Sequence, residues 1–168
     1  RAAVLTPDSK GVVTGNDFLM NIPHVGPWIK LNPGMQEAVI RGNTFHNDRP
    51  LDQRSPTEML ILVETGGRLS SADSSLRLIE NNLIKGFPFA VWARGMKTVG
   101  QPGGFIVRNN VMDGSIRLEG TREAAAFMAY GNLHATTLQE IKPESLDRLP
   151  APLPPVEPTP QDEADTAS

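Results

Sequence analysis

The sequence predicts an all-β chain wound as a solenoid of stacked coils, on three observations. The 168 residues contain 15 Gly and 15 Pro, with 5% aromatic and 39% hydrophobic residues, the composition of a turn-rich chain with few helix-forming runs. One short pattern recurs five times: an apolar residue, a variable one, Gly or Asn, Asn, a variable one, then usually a bulky apolar one. Between its copies lies a second motif, a short alternating strand that ends at Gly.

The copies of the first motif run in order along the chain. They are Val13-Thr14-Gly15-Asn16-Asp17-Phe18, Ile40-Arg41-Gly42-Asn43-Thr44-Phe45, Ile79-Glu80-Asn81-Asn82-Leu83-Ile84, Val107-Arg108-Asn109-Asn110-Val111-Met112 and Ala129-Tyr130-Gly131-Asn132-Leu133-His134. The anchoring asparagines are 27, 39, 28 and 22 residues apart, a unit near 22 residues with insertions of different length. The second motif occupies residues 28–34, 61–66, 91–95 and 116–120. Each coil thus holds a strand before its Asn, a second strand ending in Gly, and a return segment.

The chemistry of the corner fits stacking. An Asn amide both donates and accepts, so a column of them bonds along the stack, and Asn tolerates the left-handed region. The Gly or Asn before it relieves the same tight corner. Phe18, Phe45, Ile84 and Met112, two residues past the anchor, are expected to line the interior. A β-sandwich does not require the same corner residue in every unit, and a propeller blade needs about 40 residues, more than the shortest spacing allows.

On these residues, over positions 11–135, the chain resembles the right-handed parallel β-helices of the pectin-lyase-like type. The resemblance implies four to five coils over residues 1–137. It implies a secreted, periplasmic or cell-surface protein that acts on an acidic, uronate-containing polysaccharide, most simply as a lyase. The alternative is a non-catalytic β-helix that is structural, adhesive or carbohydrate-binding. No cofactor is expected, and calcium enters by family resemblance alone. The segment Asp48-Arg49-Pro50-Leu51-Asp52-Gln53-Arg54 misses the spacing of the pectate lyase Arg-x-Pro-x-x-Arg motif, and the signatures of polygalacturonases and alginate epimerases are absent. No catalytic residue carries over.

Aligned coils put outward residues in columns. One column reads Thr14, Arg41, Glu80, Arg108, Tyr130; a second reads Lys30, Leu62, Trp92, Arg117; a third reads Asn32, Glu64, Arg94, Glu119. β-Elimination needs a cation to stabilise an enolate and a base to take the proton beside the carboxylate. Arg41, Arg108, Lys30, Glu64 and the loop residue His46, near Asp48, are the catalytic candidates. Arg94, Arg117, Trp92, Glu119 and Tyr130 are the substrate-binding candidates, because Arg forks match carboxylates and aromatic faces match sugar rings. The opposing reading is a solvated surface of alternating, mutually paired charges: Arg41, Glu80 and Arg108 stack as plus, minus, plus, and Arg94 lies between Glu64 and Glu119.

The ends differ from the middle. Six of the 15 Pro fall between Pro150 and Pro160 and an acidic run follows, so residues 150–168 are expected to be a disordered tail. Residues 138–149 are expected to cap the last coil or to begin that tail. Arg1 to Thr6 reads as the middle of a strand, with the expectation that the chain begins inside a larger β-helix. Residues 1–148 carry 16 basic and 15 acidic side chains, net +1, which argues against nucleic-acid binding. Zero Cys excludes thiol chemistry and Cys-based zinc sites, the three His are not spaced as ligands, and no apolar run is long enough to span a membrane.

Overall fold

The computed structural model describes residues 3–5, 10–22, 26–31, 37–64, 75–96, 103–120 and 126–145. The proposed tail, 150–168, and the end of the proposed cap lie outside the described residues. Among them are sixteen short strands: β1 (Ala3–Leu5), β2 (Lys10–Thr14), β3 (Asp17–Met20), β4 (Pro27–Leu31), β5 (Glu37–Arg41), β6 (Thr44–Asn47), β7 (Met59–Glu64) and β8 (Ser75–Glu80). They continue as β9 (Leu83–Lys85), β10 (Phe89–Met96), β11 (Gly103–Arg108), β12 (Val111–Met112), β13 (Ser115–Gly120), β14 (Ala126–Tyr130), β15 (Leu133–His134) and β16 (Glu144–Ser145). One 3-10 turn, Leu51–Gln53, lies between β6 and β7.

The strands form three parallel sheets. The first runs β1-β4-β7-β10-β13-β16, the second β2-β5-β8-β11-β14, and the third β3-β6-β9-β12-β15. The chain visits first, second and third sheet in turn and then begins again, so each strand pairs with its counterpart one circuit away. This course, with almost no helix, fits a parallel β-helix. It also explains how such short strands are stable: each strand inside a sheet is bonded to the circuits on either side rather than to a hairpin partner.

Registers turn single residues into columns. Ile29, Ile61, Val91 and Ile116 are aligned in the first sheet. Val13, Ile40, Ile79, Val107 and Ala129 are aligned in the second. Phe45, Ile84 and Met112 are aligned in the third, and all three side chains are fully buried. These columns face one another and form a single core cluster. Each buried Ile, Phe or Met side chain contributes about 1.5–3 kcal/mol by its removal from water. Phe18 departs from the expected interior position: its ring stacks on Phe45 at 4.9 Å and 3°, but it is 36% exposed because β3 is an edge strand of its sheet among the described residues.

The corner between the second and third sheets is the repeated motif. Asn16, Asn43 and Asn82 each donate their backbone N–H and one amide hydrogen to the Oδ1 of the next anchor, at 2.9–3.2 Å. Asn110 does the same to Asn132, at 3.2 and 2.9 Å. The amides of Asn43, Asn82, Asn110 and Asn132 also donate to the carbonyls of Val13, Ile40, Ile79 and Val107. The left-handed residue is the one before each anchor, not the anchor itself: Gly15, Gly42, Asn81, Asn109 and Gly131 have φ of 67°, 64°, 54°, 53° and 64°. Asn and Gly alternate there because both enter that region at low cost.

Candidate functional site

The residues proposed from sequence lie on three different sheets. Arg41, Arg108 and Tyr130 are on the outer face of the second sheet, in register with Thr14 and Glu80. Lys30, Trp92 and Arg117 share an outward column of the first sheet, and Glu64, Arg94 and Glu119 are in register with one another two residues further along it. His46 is on β6 in the third sheet, exposed, with Nε2 4.0 Å from Asp48 Oδ1.

On the second sheet the charges are spent on one another. Glu80 is 5% exposed and accepts from Arg108 through both Nε, at 2.7 Å, and Nη2, at 2.6 Å. Arg41 approaches the same carboxylate at 3.8 Å. Arg108 Nη1 also donates to the Tyr130 hydroxyl at 3.1 Å. The bond to Tyr130 and the bond and charge of Glu80 raise the pKa of Arg108 above its usual value. A guanidinium held in its charged form this way binds anions but does not accept a proton from a substrate.

On the first sheet the arrangement differs. The guanidinium carbon of Arg117 lies 4.5 Å from the centroid of the Trp92 ring and 5.0 Å from that of Phe89. Phe89 and Trp92 are themselves 5.0 Å apart, tilted by 55°. Their spacing of three would send them to opposite faces of a regular strand. A register shift between Phe89 and Val91, where β10 pairs β13, brings them to the same side. Trp92 Nε1 and Arg117 Nε are buried atoms with no hydrogen-bond partner among the described residues. Leu62, in the same column, is only 3% exposed. Sequence reasoning found Trp92 and Arg117 and missed Phe89, whose signal was the break in alternation at Phe89-Ala90-Val91.

A second feature unforeseen from sequence is the buried ion pair inside the excursion 47–58. Arg49 and Glu58 form a buried ion pair, 3% and 0% exposed. Glu58 also accepts from Trp28 Nε1 at 3.1 Å, and Arg49 donates to Asn47 Oδ1 at 3.2 Å and to the Gln53 carbonyl at 3.1 Å. The pair thus ties the excursion to β4. Outside it is an open cleft of about 380 Å³ lined by residues that include Leu51, Arg54, Pro56, Phe87, Pro88 and Asp113. Both carboxylate oxygens of Asp113 accept the Gly86 N–H, at 2.9 and 2.8 Å.

Beyond the last anchor the chain turns back. His134 Nδ1 accepts the N–H groups of Thr136 and Thr137, both at 3.2 Å, so this histidine closes a turn. Leu133 then bridges Glu140 antiparallel, and Ile141 N–H donates to the Asn132 carbonyl at 2.8 Å. Among the described residues no group of three or more His, Asp or Glu is placed to hold a metal ion. No helix there is long and apolar enough to cross a membrane. Comparison with protein-family models, with curated proteins and with solved structures returns no match.

Proposed function

We propose that the chain is a polysaccharide-binding protein whose architecture is the right-handed parallel β-helix of the pectin-lyase-like type, with four to five coils. Its ligand is an acidic, uronate-containing polymer met outside the cell or at its surface. The observation that carries this reading is the Phe89–Trp92–Arg117 cluster on the outer face of the first sheet. Aromatic faces offer stacking surface to sugar rings, and a guanidinium above them offers charge to uronate carboxylates. Lys30 lies in the same column, and Arg94 and Glu119 in the next. Binding is favoured over elimination because Arg41 and Arg108, the outward arginines of the second sheet, are both directed to Glu80.

Affinity electrophoresis in gels containing polygalacturonate, alginate or a neutral glucan tests this. Retardation by the acidic polymers, reduced severalfold by Trp92→Ala and by Arg117→Ala and unchanged by Arg41→Ala, is the expected result. Equal mobility in all three gels overturns it. Unsaturated product released from either uronate polymer, read by its absorbance, replaces binding with lyase activity.

A further inference from the structure

The second sheet presents an outward column unlike its neighbours. Val12, Val39, Leu78, Ile106 and Met128 are in register across all five of its strands. Val12 is 64% and Met128 52% exposed, and the three between them are partly exposed. The stripe crosses the whole sheet, roughly 19 Å at the spacing of paired strands. A continuous apolar stripe of this kind, with charged groups along its borders, marks an interaction surface. The ion column Arg41–Glu80–Arg108 borders it on one side. On the other side the register positions are Lys10, Glu37, Leu76, Gly104 and Ala126, with Lys10 paired to Glu37 at 3.5 Å.

These borders specify the partner. We infer that the stripe is the contact face of a symmetric dimer, a second copy of this chain packed on the second sheet with the two-fold axis along the stack of strands. Such an axis reverses strand direction and keeps the rows, so each stripe residue meets its own copy. It places Glu37 opposite Arg41 of the other copy and Gly104, without a side chain, opposite Arg108. Leu76 falls opposite Glu80, whose carboxylate is already held by two arginines. The other in-plane axis, along the strands, would set Arg41 against Arg108 and Glu80 against Glu80. Like charges facing each other disfavour that packing. The footprint, about 13 Å between the bordering columns and roughly 19 Å along the stripe, is smaller than that of a stable interface, so the dimer is weak and depends on concentration.

Sedimentation of the full chain from micromolar to about millimolar concentration tests this. The expected result is a monomer–dimer equilibrium that Leu78→Glu weakens about tenfold or more by burying an unpaired charge. If Leu78→Glu fails to fold, as judged by circular dichroism, Val12→Glu and Met128→Glu in the two edge strands carry the same test. Glu37→Arg alone and Arg41→Glu alone should each dimerise poorly, and an equimolar mixture of the two should recover wild-type association, because both cross-pairs are then opposite in charge. The chain has no cysteine, so Val12→Cys, Leu78→Cys and Met128→Cys can each be treated with a short bis-maleimide, and all three should cross-link to themselves. A monomer at every concentration, a dimer indifferent to Leu78→Glu, or no recovery on mixing overturns the proposal. So does cross-linking of Leu78→Cys alone, which belongs to the other axis, or a Leu78→Cys thiol protected in the dilute monomer, which would mean that the chain covers its own stripe.

Discussion

The corner between the second and third sheets and the excursion 47–58 both bury polar side chains, and they do so in opposite ways. The corner between the second and third sheets repeats one neutral device five times, and four successive steps join its anchors. The excursion 47–58 uses a single charged device, the Arg49–Glu58 pair, braced by Trp28, Asn47 and Gln53. In the corner, each amide finds its partners in residues of the same kind one circuit away. In the excursion, every partner is of a different kind and occurs once. Repetition shares interior polarity among equal steps, whereas an insertion concentrates it in one bond.

Arg49→Leu leaves Glu58 charged and buried, and is expected to cost about 3–5 kcal/mol in denaturant unfolding. Replacing both partners with apolar residues should cost clearly less than Arg49→Leu alone, since an unpaired buried charge is worse than none. Asn82→Ala removes the acceptor of Asn43's N–H and amide and the donor to the Ile40 carbonyl; about 3 kcal/mol is expected from the groups left unsatisfied. If Asn82→Ala proves costlier than Arg49→Leu, the ladder rather than the ion pair is the concentrated point. Gly42→Ala isolates backbone strain, because a Cβ there meets nothing within 4 Å while φ is 64°. About 1–2 kcal/mol is expected, and Asn81→Gly should be close to neutral.

Arg108→Ala comes after the deletions above. Glu80 is nearly buried, but Arg41 stays 3.8 Å from its carboxylate, so the melting temperature should fall less than with Arg49→Leu or Asn82→Ala, and less at high salt than at low. The sign of its pH dependence follows from the raised pKa. Stability from Arg108 is fully present below the unfolded pKa and is lost only as pH rises through the still higher folded value. A melting profile from pH 5 to 9 should therefore show no titration from this residue.

The corner was legible because its physics is periodic. An Asn that must meet another Asn recurs in sequence, so its register could be read before any coordinates. The outward columns were legible for the same reason, and their alternating charges on the second sheet pair much as the surface reading supposed. What resisted was whatever occurs once. Trp28, Asn47, Arg49, Gln53 and Glu58 share no spacing rule, and only the folded chain brings them together. Phe89 was hidden by a register shift that defeats two-residue alternation. The left-handed backbone was placed one residue late, at the anchor, because Asn suits both roles, and only the backbone angles separate the residue that bends from the residue that bonds.

The stepwise corner bears on how the length of this molecule can change. Each anchor recognises only the next, and any two neighbouring anchors present the same groups to each other. Excising residues 83–110 would join Asn82 to Val111 and set Asn43, Asn82 and Asn132 in an unbroken series. A one-residue insertion in β8 would turn the rest of that strand inside out. A 28-residue deletion should therefore be tolerated better than a single-residue insertion, so a gene for such a protein can lengthen or shorten in whole turns of the winding and only with difficulty by any smaller step.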